Sequence, residues 1–305
     1  MIKTDLFREI GGFYTKLEKA YYEDTDCCFR VRDKGYRVLY QPHSVVTHIE
    51  GLSSGTDVTS GMKKYQAVNQ GIFRETWQHV LQDHLPNAQT PEIASDRKVK
   101  GHILYVDATT PTPDQDSGSL DAINAMGILI ELGYRVHFIP GTNFAFMGER
   151  TKRLQAMGVE CIYHPFYSNM TSFLQERGDA FDYIILSRAE INELFLTQVK
   201  KSCPRAKIIY NTVDLHFLRQ QREAQLSSNE ADHEAADMMR LRELSYMQAS
   251  DATIILSEHE RDVLADIDGL HGKLYTIPLI RQEATRLARY DTCLLYTSPS
   301  PRDRG

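Results

Sequence analysis

Residues 102–139 read HILYVDATTPTPDQDSGSLDAINAMGILIELGYRVHFI, and the fold of the longer half of the chain turns on them. The stretch opens on a short continuous apolar run, His102 to Asp107, passes through a loop bearing Ser, Gly and Pro, and becomes helical in period from about Leu120 to Leu132. Gly133 is placed to end that helix, and Tyr134 to Ile139 is a second strand-like run. An apolar run without alternation is what a strand shows when both of its faces are covered. The same rhythm recurs downstream. Val159–Tyr163, Tyr183–Ser187, Lys207–Tyr210 and Ala252–Leu256 read as strands, and a long helical segment runs from about Ala231 to Ala249.

Strands that alternate with helices build a parallel sheet wound by crossover connections. Residues 101–282 are therefore expected to form an α/β, Rossmann-like, doubly wound domain. Residues 1–86 have a different texture: a helical turn at Thr4–Arg8, the turn pair Gly11-Gly12, a helix from about Thr25 to Lys34 stopped by Gly35, strand-like runs at Tyr36–Tyr40 and Ser44–His48, and a helix from about Met62 to Leu85. Between the halves, residues 87–100 carry few apolar side chains and read as a linker. At the far end, CLLYTSPSPRDRG at 293–305 has no usable period and resembles the translated read-through of a sequencing-library adapter. Residues 283–305 are accordingly expected to be a disordered, partly artefactual tail and are set apart from function.

With 305 residues, 42% hydrophobic and 25% charged, the chain has room for two cores. Its net charge of −6 gives no basic footprint for nucleic acid. Five cysteines without the spacing of a disulfide framework point to a reducing, cytoplasmic setting. No run approaches the roughly 20 apolar residues of a membrane span.

Three groups of residues carry chemistry. In the loop TTPTPDQDSGS at 109–119, Asp114, Asp116, Ser117, Gly118 and Ser119 stand where a doubly wound sheet binds ligands, beyond the carboxyl end of a strand. The loop is not G-x-G-x-x-G and lacks a P-loop lysine, and its other reading is a capped helix start with Ser117 or Ser119 as N-cap. In IIYNTVDLHFLR at 208–219, Asp214 and His216 stand at another strand's carboxyl end, as Arg188 does after Ile185-Leu186-Ser187. The alternative there is a buried His216 bonded to backbone, with Asp214 as a turn former. Upstream, YEDTD at 22–26 sets Glu23, Asp24 and Asp26 together. They serve either an acid-favouring helix start with an Asp26–Arg30 pair, or a carboxylate site for proton transfer or a metal.

FREIGGF at 7–13, YEDTDCCFR at 22–30, KGYRVLYQP at 34–42 and VTHIEG at 46–51 together resemble, over residues 3–85, the C-terminal part of the catalytic domain of family 2 glycosyltransferases, which have the GT-A fold. The resemblance implies that Asp24 is the general base of an inverting displacement, Glu23 an acceptor contact and His48 a metal ligand. It also implies a divalent cation, Mn or Mg, held mostly by an upstream D-x-D motif that this chain lacks. PTPDQDSGS, IIYNTVDLHFLR and DATIILSEHERDVL at 251–264 resemble, over about 101–280, the N-terminal domain of family 4 glycosyltransferases, which have the GT-B fold. This second resemblance implies acceptor binding by Asp114, Asp116, Ser117, Gly118, Ser119, Asp214 and His216, without a cofactor. The partners so implied are a nucleotide-sugar donor, a glycan acceptor and, peripherally, a glycan-assembly machinery. On this reading the chain is a fragment of a bifunctional enzyme, inactive alone. The alternatives are a non-catalytic glycan-binding or scaffolding protein, and an unrelated doubly wound enzyme such as a methyltransferase, against which the missing glycine-rich loop after Val106 argues.

Overall fold

The computed structural model describes residues 2–39, 44–47, 61–85, 91–227 and 229–281. The chain divides into two compact units, residues 1–97 and 98–305.

In the first unit α1 (Thr4–Glu9), α2 (Glu23–Asp33), α3 (Lys64–Leu81, entered by a 3-10 turn at Gly61–Lys63) and α4 (Pro91–Asp96) follow in order. α2 has acids in its first turn and Arg30 and Arg32 in its last, which suits the helix dipole, and Gly35 takes φ +80° just beyond it. Asp26 is the polar centre of this unit. Its buried carboxylate accepts from Arg30 Nε at 2.7 Å and from Trp77 Nε1 at 2.9 Å, while Arg30 Nη1 donates to the Ile10 carbonyl at 2.6 Å. Around it Tyr22 and Phe29 meet Phe73, and Phe29 meets Trp77, with centroids 5.0–5.3 Å apart.

One expectation fails here. Residues 36–39 and 44–47 are not strands: among the described residues of this unit no strand offers them a ladder, and Leu39, Val45 and Val46 stand exposed. α4 occupies part of the expected linker, with Pro91 at its first position, where a fixed φ and a missing N–H cost nothing.

The second unit runs β1 (His102–Asp107), α5 (Ser117–Glu131), β2 (Arg135–Pro140), α6 (Glu149–Met157), β3 (Glu160–Cys161), α7 (Met170–Arg177), β4 (Tyr183–Ser187), α8 (Ala189–Ser202), β5 (Lys207–Asn211), α9 (His216–Ser227), α10 (Glu230–Ala249), β6 (Ala252–Ile255), α11 (Glu258–Leu264) and β7 (Leu274–Thr276). The seven strands form one parallel sheet in the order β3-β2-β1-β4-β5-β6-β7, flanked by helices. This is the Rossmann-like α/β arrangement.

Side chains alternate across a strand, so the central strands sort into two cores. Ile103, Tyr105, Val136, Phe138 and Ile185 pack with Ala122, Ile123 and Met126 of α5 and Leu154 of α6. Leu104, Val106, Ile184 and Leu186 pack with Phe173 and Leu174 of α7 and Ile191, Leu196 and Val199 of α8. The expected strand Val159–Tyr163 shrinks to two residues at the sheet's edge, where a short ladder limits unwanted pairing. β7, at the other edge, is three residues long and lies outside the strands expected from sequence. Among the described residues no helix is long and apolar enough to cross a membrane.

Two glycines of this unit have opposite expected responses. A Cβ on Gly178 would lie within van der Waals overlap of the Ser202 carbonyl oxygen, so Gly178→Ala should destabilise by about 1–3 kcal/mol. A Cβ on Gly127, inside α5, would meet only Met157 Cε at 3.7 Å, so Gly127→Ala should stabilise by roughly 0.5–1 kcal/mol. Urea denaturation of the two variants checks both signs.

Candidate functional site

From β1 the chain winds outward to β2 and β3, then returns to lay β4 on β1's other side. Such a switch point opens a crevice at the carboxyl ends of the two strands. Asp107 ends β1, and Arg188 follows β4. Arg188 Nε donates to Asp107 Oδ1 at 2.8 Å, and its Nη2 lies 3.9 Å from Asp116 Oδ1. Asp107 is buried and Arg188 mostly so. Burial pushes the Asp107 carboxyl up, against the pull of Arg188. Burial works against the charge on Arg188 too, but Asp107 and then Asp116 hold its pKa above the ordinary value.

The backbone there is strained. Arg188 has φ +78° and ψ 152°, a region essentially reserved for glycine, and Val213, after β5, has φ +64°. Each costs on the order of 1–3 kcal/mol and persists only where its surroundings over-determine it. The Arg188 amide donates to the Asn211 carbonyl at 2.8 Å. Beneath, one residue from each of three neighbouring strands joins in a buried polar knot: Ser187 Oγ and Asn211 Nδ2 donate to the Tyr105 hydroxyl at 3.2 and 3.3 Å, and Asn211 Nδ2 also donates to Ser187 Oγ at 3.1 Å. Gly118 fits between Arg188 and Val213; a Cβ would come within 3.0 Å of Arg188 Nη2 and 3.1 Å of Val213 Cγ1.

The start of α5 differs from the expected cap. Asp116, rather than Ser117 or Ser119, is the N-cap: its carboxylate accepts from the Ser119 amide at 2.8 Å, the Ser119 hydroxyl at 2.5 Å and the Thr112 hydroxyl at 3.0 Å. A carboxylate reaches the third N–H and takes two hydroxyl donors as well, which a hydroxyl cannot. Burial pulls upward on its pKa, yet these bonds lower it. Ser119 is buried by that arrangement, whereas Ser117 is exposed and its Oγ accepts from Arg281 Nη2 at 2.6 Å. Asp114 stands out to solvent, 3.8 Å from Arg150.

At the end of β5, Asp214 Oδ1 lies 3.1 Å from His216 Nε2, and Asp214 Oδ2 accepts from Arg219 Nη1 at 2.7 Å. The hydrogen bond to Asp214 raises the His216 pKa. Against burial, His216, Arg219 and the charge of Arg188 lower that of Asp214. It is the His216 amide, not its ring, that turns inward. Glu243, fully buried on α10, accepts from the Phe217 amide at 2.7 Å, the His216 amide at 3.3 Å and the Tyr210 hydroxyl at 3.0 Å.

The first unit holds the other group of candidate residues. Lys19, Tyr21 and Tyr22, just before α2, have φ of 59°, 75° and 72°. Asn69 of α3, with no exposed surface, clamps this loop: its Oδ1 accepts from the Glu18 amide at 3.2 Å, and its Nδ2 donates to the carbonyls of Glu18, Ala20 and Tyr21 at 3.0, 2.8 and 3.0 Å. The loop delivers Glu23 and Asp24 at the start of α2. Asp24 is exposed and accepts from the Thr25 amide and hydroxyl at 2.6 and 3.2 Å. Glu23 Oε2 is buried and has no hydrogen-bond partner among the described residues. Asp26 belongs to the interior, Asp24 faces solvent and Glu23 is half-buried, so the YEDTD cluster splits three ways.

The chain matches no family model and no curated protein.

His48 lies outside the described residues. Among those described, no group of three His, Cys, Asp or Glu side chains could hold a metal ion, and Asp26, the carboxylate next to Asp24, is already taken by Arg30 and Trp77. The described residues do not fit a divalent cation. Sequence reasoning missed Asp107 as Arg188's partner, although one ends and the other directly follows the strands that meet at the switch point. Asn69, Glu243 and Arg281 gave no signal, because each acts through a contact distant in sequence.

Asn69→Ala removes the clamp and leaves one amide and three carbonyls without it, so the first unit should lose roughly 1–3 kcal/mol, with faster amide exchange around Tyr21 as the local readout. The Asp214–His216 pair makes a second prediction. The folded pKa of His216 is raised, so its contribution is full below about pH 6.5 and fades as pH rises through the folded value; that of Asp214 is lowered, so its contribution is full above about pH 4 and fades as pH falls through the folded value. Asp214→Asn should therefore cost more stability at pH 5.5 than at pH 9, and equal losses in urea melts at both would refute the pairing.

Proposed function

We propose that the protein is a glycosyltransferase that moves a sugar from a nucleotide-sugar donor onto a glycan acceptor. On this reading the two units belong to separate modules of a bifunctional enzyme: the first carries Asp24 as the general base of its own reaction, and the second holds its own acceptor in the crevice between β1 and β4. The observation that supports this best is Arg188: a residue in a glycine-only conformation, at the switch point, bridging Asp107 and Asp116 beside the capped start of α5. A fork of guanidinium donors between carboxylate acceptors matches a ligand rich in hydroxyl groups, each both donor and acceptor. Ser117 and His216 extend that polar lining. In the first unit Asp24 is exposed at a helix start and, among the described residues, forms no ion pair. As the acceptor oxygen bonds to the anomeric carbon, its proton passes to the Asp24 carboxylate and the nucleoside diphosphate leaves with the bonding electrons. Glu23 orients the acceptor beside it.

One observation favours a binding-only role for the second unit: Asp107, Asp116 and Asp214 are all committed to arginine or histidine partners, which suits holding a ligand more than accepting its proton.

The test is a transfer assay of the full-length protein across common nucleotide sugars. Asp24→Asn should lower turnover by about 10²–10⁴ while acceptor affinity stays unchanged. Turnover within a few-fold of the parent, or no consumption of any nucleotide sugar by the parent, would overturn the reading.

A further inference from the structure

The loops after β2 and β3 leave the sheet on the same edge as the crevice and carry three aromatic rings in series. The centroids of Phe146 and Tyr163 are 5.3 Å apart, and those of Tyr163 and Phe166 are 5.4 Å apart. Phe166 is 74% exposed and Phe146 43%. Tyr163 between them is half-buried, and its plane is turned 42° from that of Phe146 and 75° from that of Phe166, so the ring faces follow one another with a twist. A lone exposed ring is ordinary, but exposed rings set together mark a binding surface. The row is held in place: the Phe166 and Tyr167 amides both donate to the Tyr163 carbonyl, at 3.2 and 3.4 Å, and the His164 amide donates to the Phe144 carbonyl at 3.0 Å. It is also tied to the crevice. The Gly141 amide donates to the Asp107 carbonyl at 2.7 Å, and the Thr142 amide and hydroxyl donate to the Ala108 carbonyl at 2.9 and 2.7 Å. The rings thus continue outward from Asp107 along the sheet's edge.

The flanks of the row are polar, with His164 and Ser168 exposed beside the rings. Arg150 and Lys152, at the start of α6, are each paired with a carboxylate, Asp114 at 3.8 Å and Glu149 at 2.7 Å. An anionic membrane surface calls for an excess of cations beside the apolar groups, and each of these two stands with a carboxylate instead. A pyranose calls for something else: an apolar ring face to cover its C–H groups, and donors and acceptors at the edge for its hydroxyls.

We infer that Phe146, Tyr163 and Phe166 form a stacking platform for successive sugar rings of an oligosaccharide acceptor whose reacting end enters the β1/β4 crevice. The inference rests on the acceptor reading of that crevice and adds the substrate class: a chain of several sugars rather than a single one. Binding is therefore strengthened by chain length, and the strengthening resides in the rings.

The full-length protein is screened against an array of neutral oligosaccharides and their constituent monosaccharides, and the best oligosaccharide is titrated calorimetrically against the parent, Phe166→Ala and Phe146→Ala. Both positions are exposed, so unchanged melting temperatures are expected. Phe166→Ala should weaken the oligosaccharide by roughly tenfold and leave the monosaccharide unaffected. The platform falls if Phe166→Ala binds the oligosaccharide as the parent does, if no neutral oligosaccharide binds, or if Phe166 instead governs sedimentation with phosphatidylcholine–phosphatidylglycerol vesicles. Failure of the enzyme reading looks different: ring-dependent oligosaccharide binding without consumption of any nucleotide sugar sustains the platform alone. Transfer by Phe166→Ala at parental efficiency to long and short acceptors sustains the enzyme and removes the platform.

Discussion

The contact between Arg188 and Asp107 organises the crevice of the second unit. Asp107 ends a strand buried on both faces, where an unpaired carboxylate would be prohibitive, and Arg188 is the cation that meets it. To do so Arg188 adopts a backbone conformation that an L-residue avoids, and the next helix begins at once behind it. The same guanidinium reaches toward Asp116, which fixes the first turn of α5, and α5 can approach only because Gly118 has no side chain. A buried ion pair is a weak source of net stability, since desolvation offsets most of its attraction. What it provides here is position: the end of β1, the start of α5 and the segment after β4 are held close to one another.

The first unit solves a comparable problem with an amide in place of a salt bridge. Three residues in left-handed conformations sit between Glu18 and Glu23, and none is a glycine. Asn69 satisfies the backbone polar groups of that loop from a helix more than forty residues away in sequence. In both units a buried polar side chain stabilises an unfavourable backbone, and in both the strained segment delivers ionisable groups to the start of a helix.

These arrangements were unequally legible in the sequence. The parallel sheet could be read because His102–Asp107 and Tyr183–Ser187 are continuous apolar runs, too short for a core helix and without the alternation of a strand that has one wet face. β7 could not, because three edge residues, one of them exposed, carry no period. Residues 36–39 and 44–47 show the opposite error: strand-forming side chains do not make a strand without a neighbour to bond, and sequence composition says nothing about neighbours. The acid-rich stretch at 22–26 revealed its carboxylates but not their division of labour, since only the fold shows that Trp77 reaches Asp26 while Asp24 stays free for solvent. The residues that hold the sites together, Asn69 and Glu243, look like ordinary polar positions of amphipathic helices.

Glu243 bears on the field inside the crevice. Its carboxylate occupies the amino end of α9, where the helix would otherwise present a partial positive charge. Asp116 does the same for α5 from its N-cap position, so both helix starts carry a carboxylate, and the cations near them are the side chains of Arg188 and of Arg281, which meets the exposed Ser117. Positive charge at the crevice therefore comes from arginine side chains and not from helix ends, so its placement follows where the fold anchors Arg188 and Arg281.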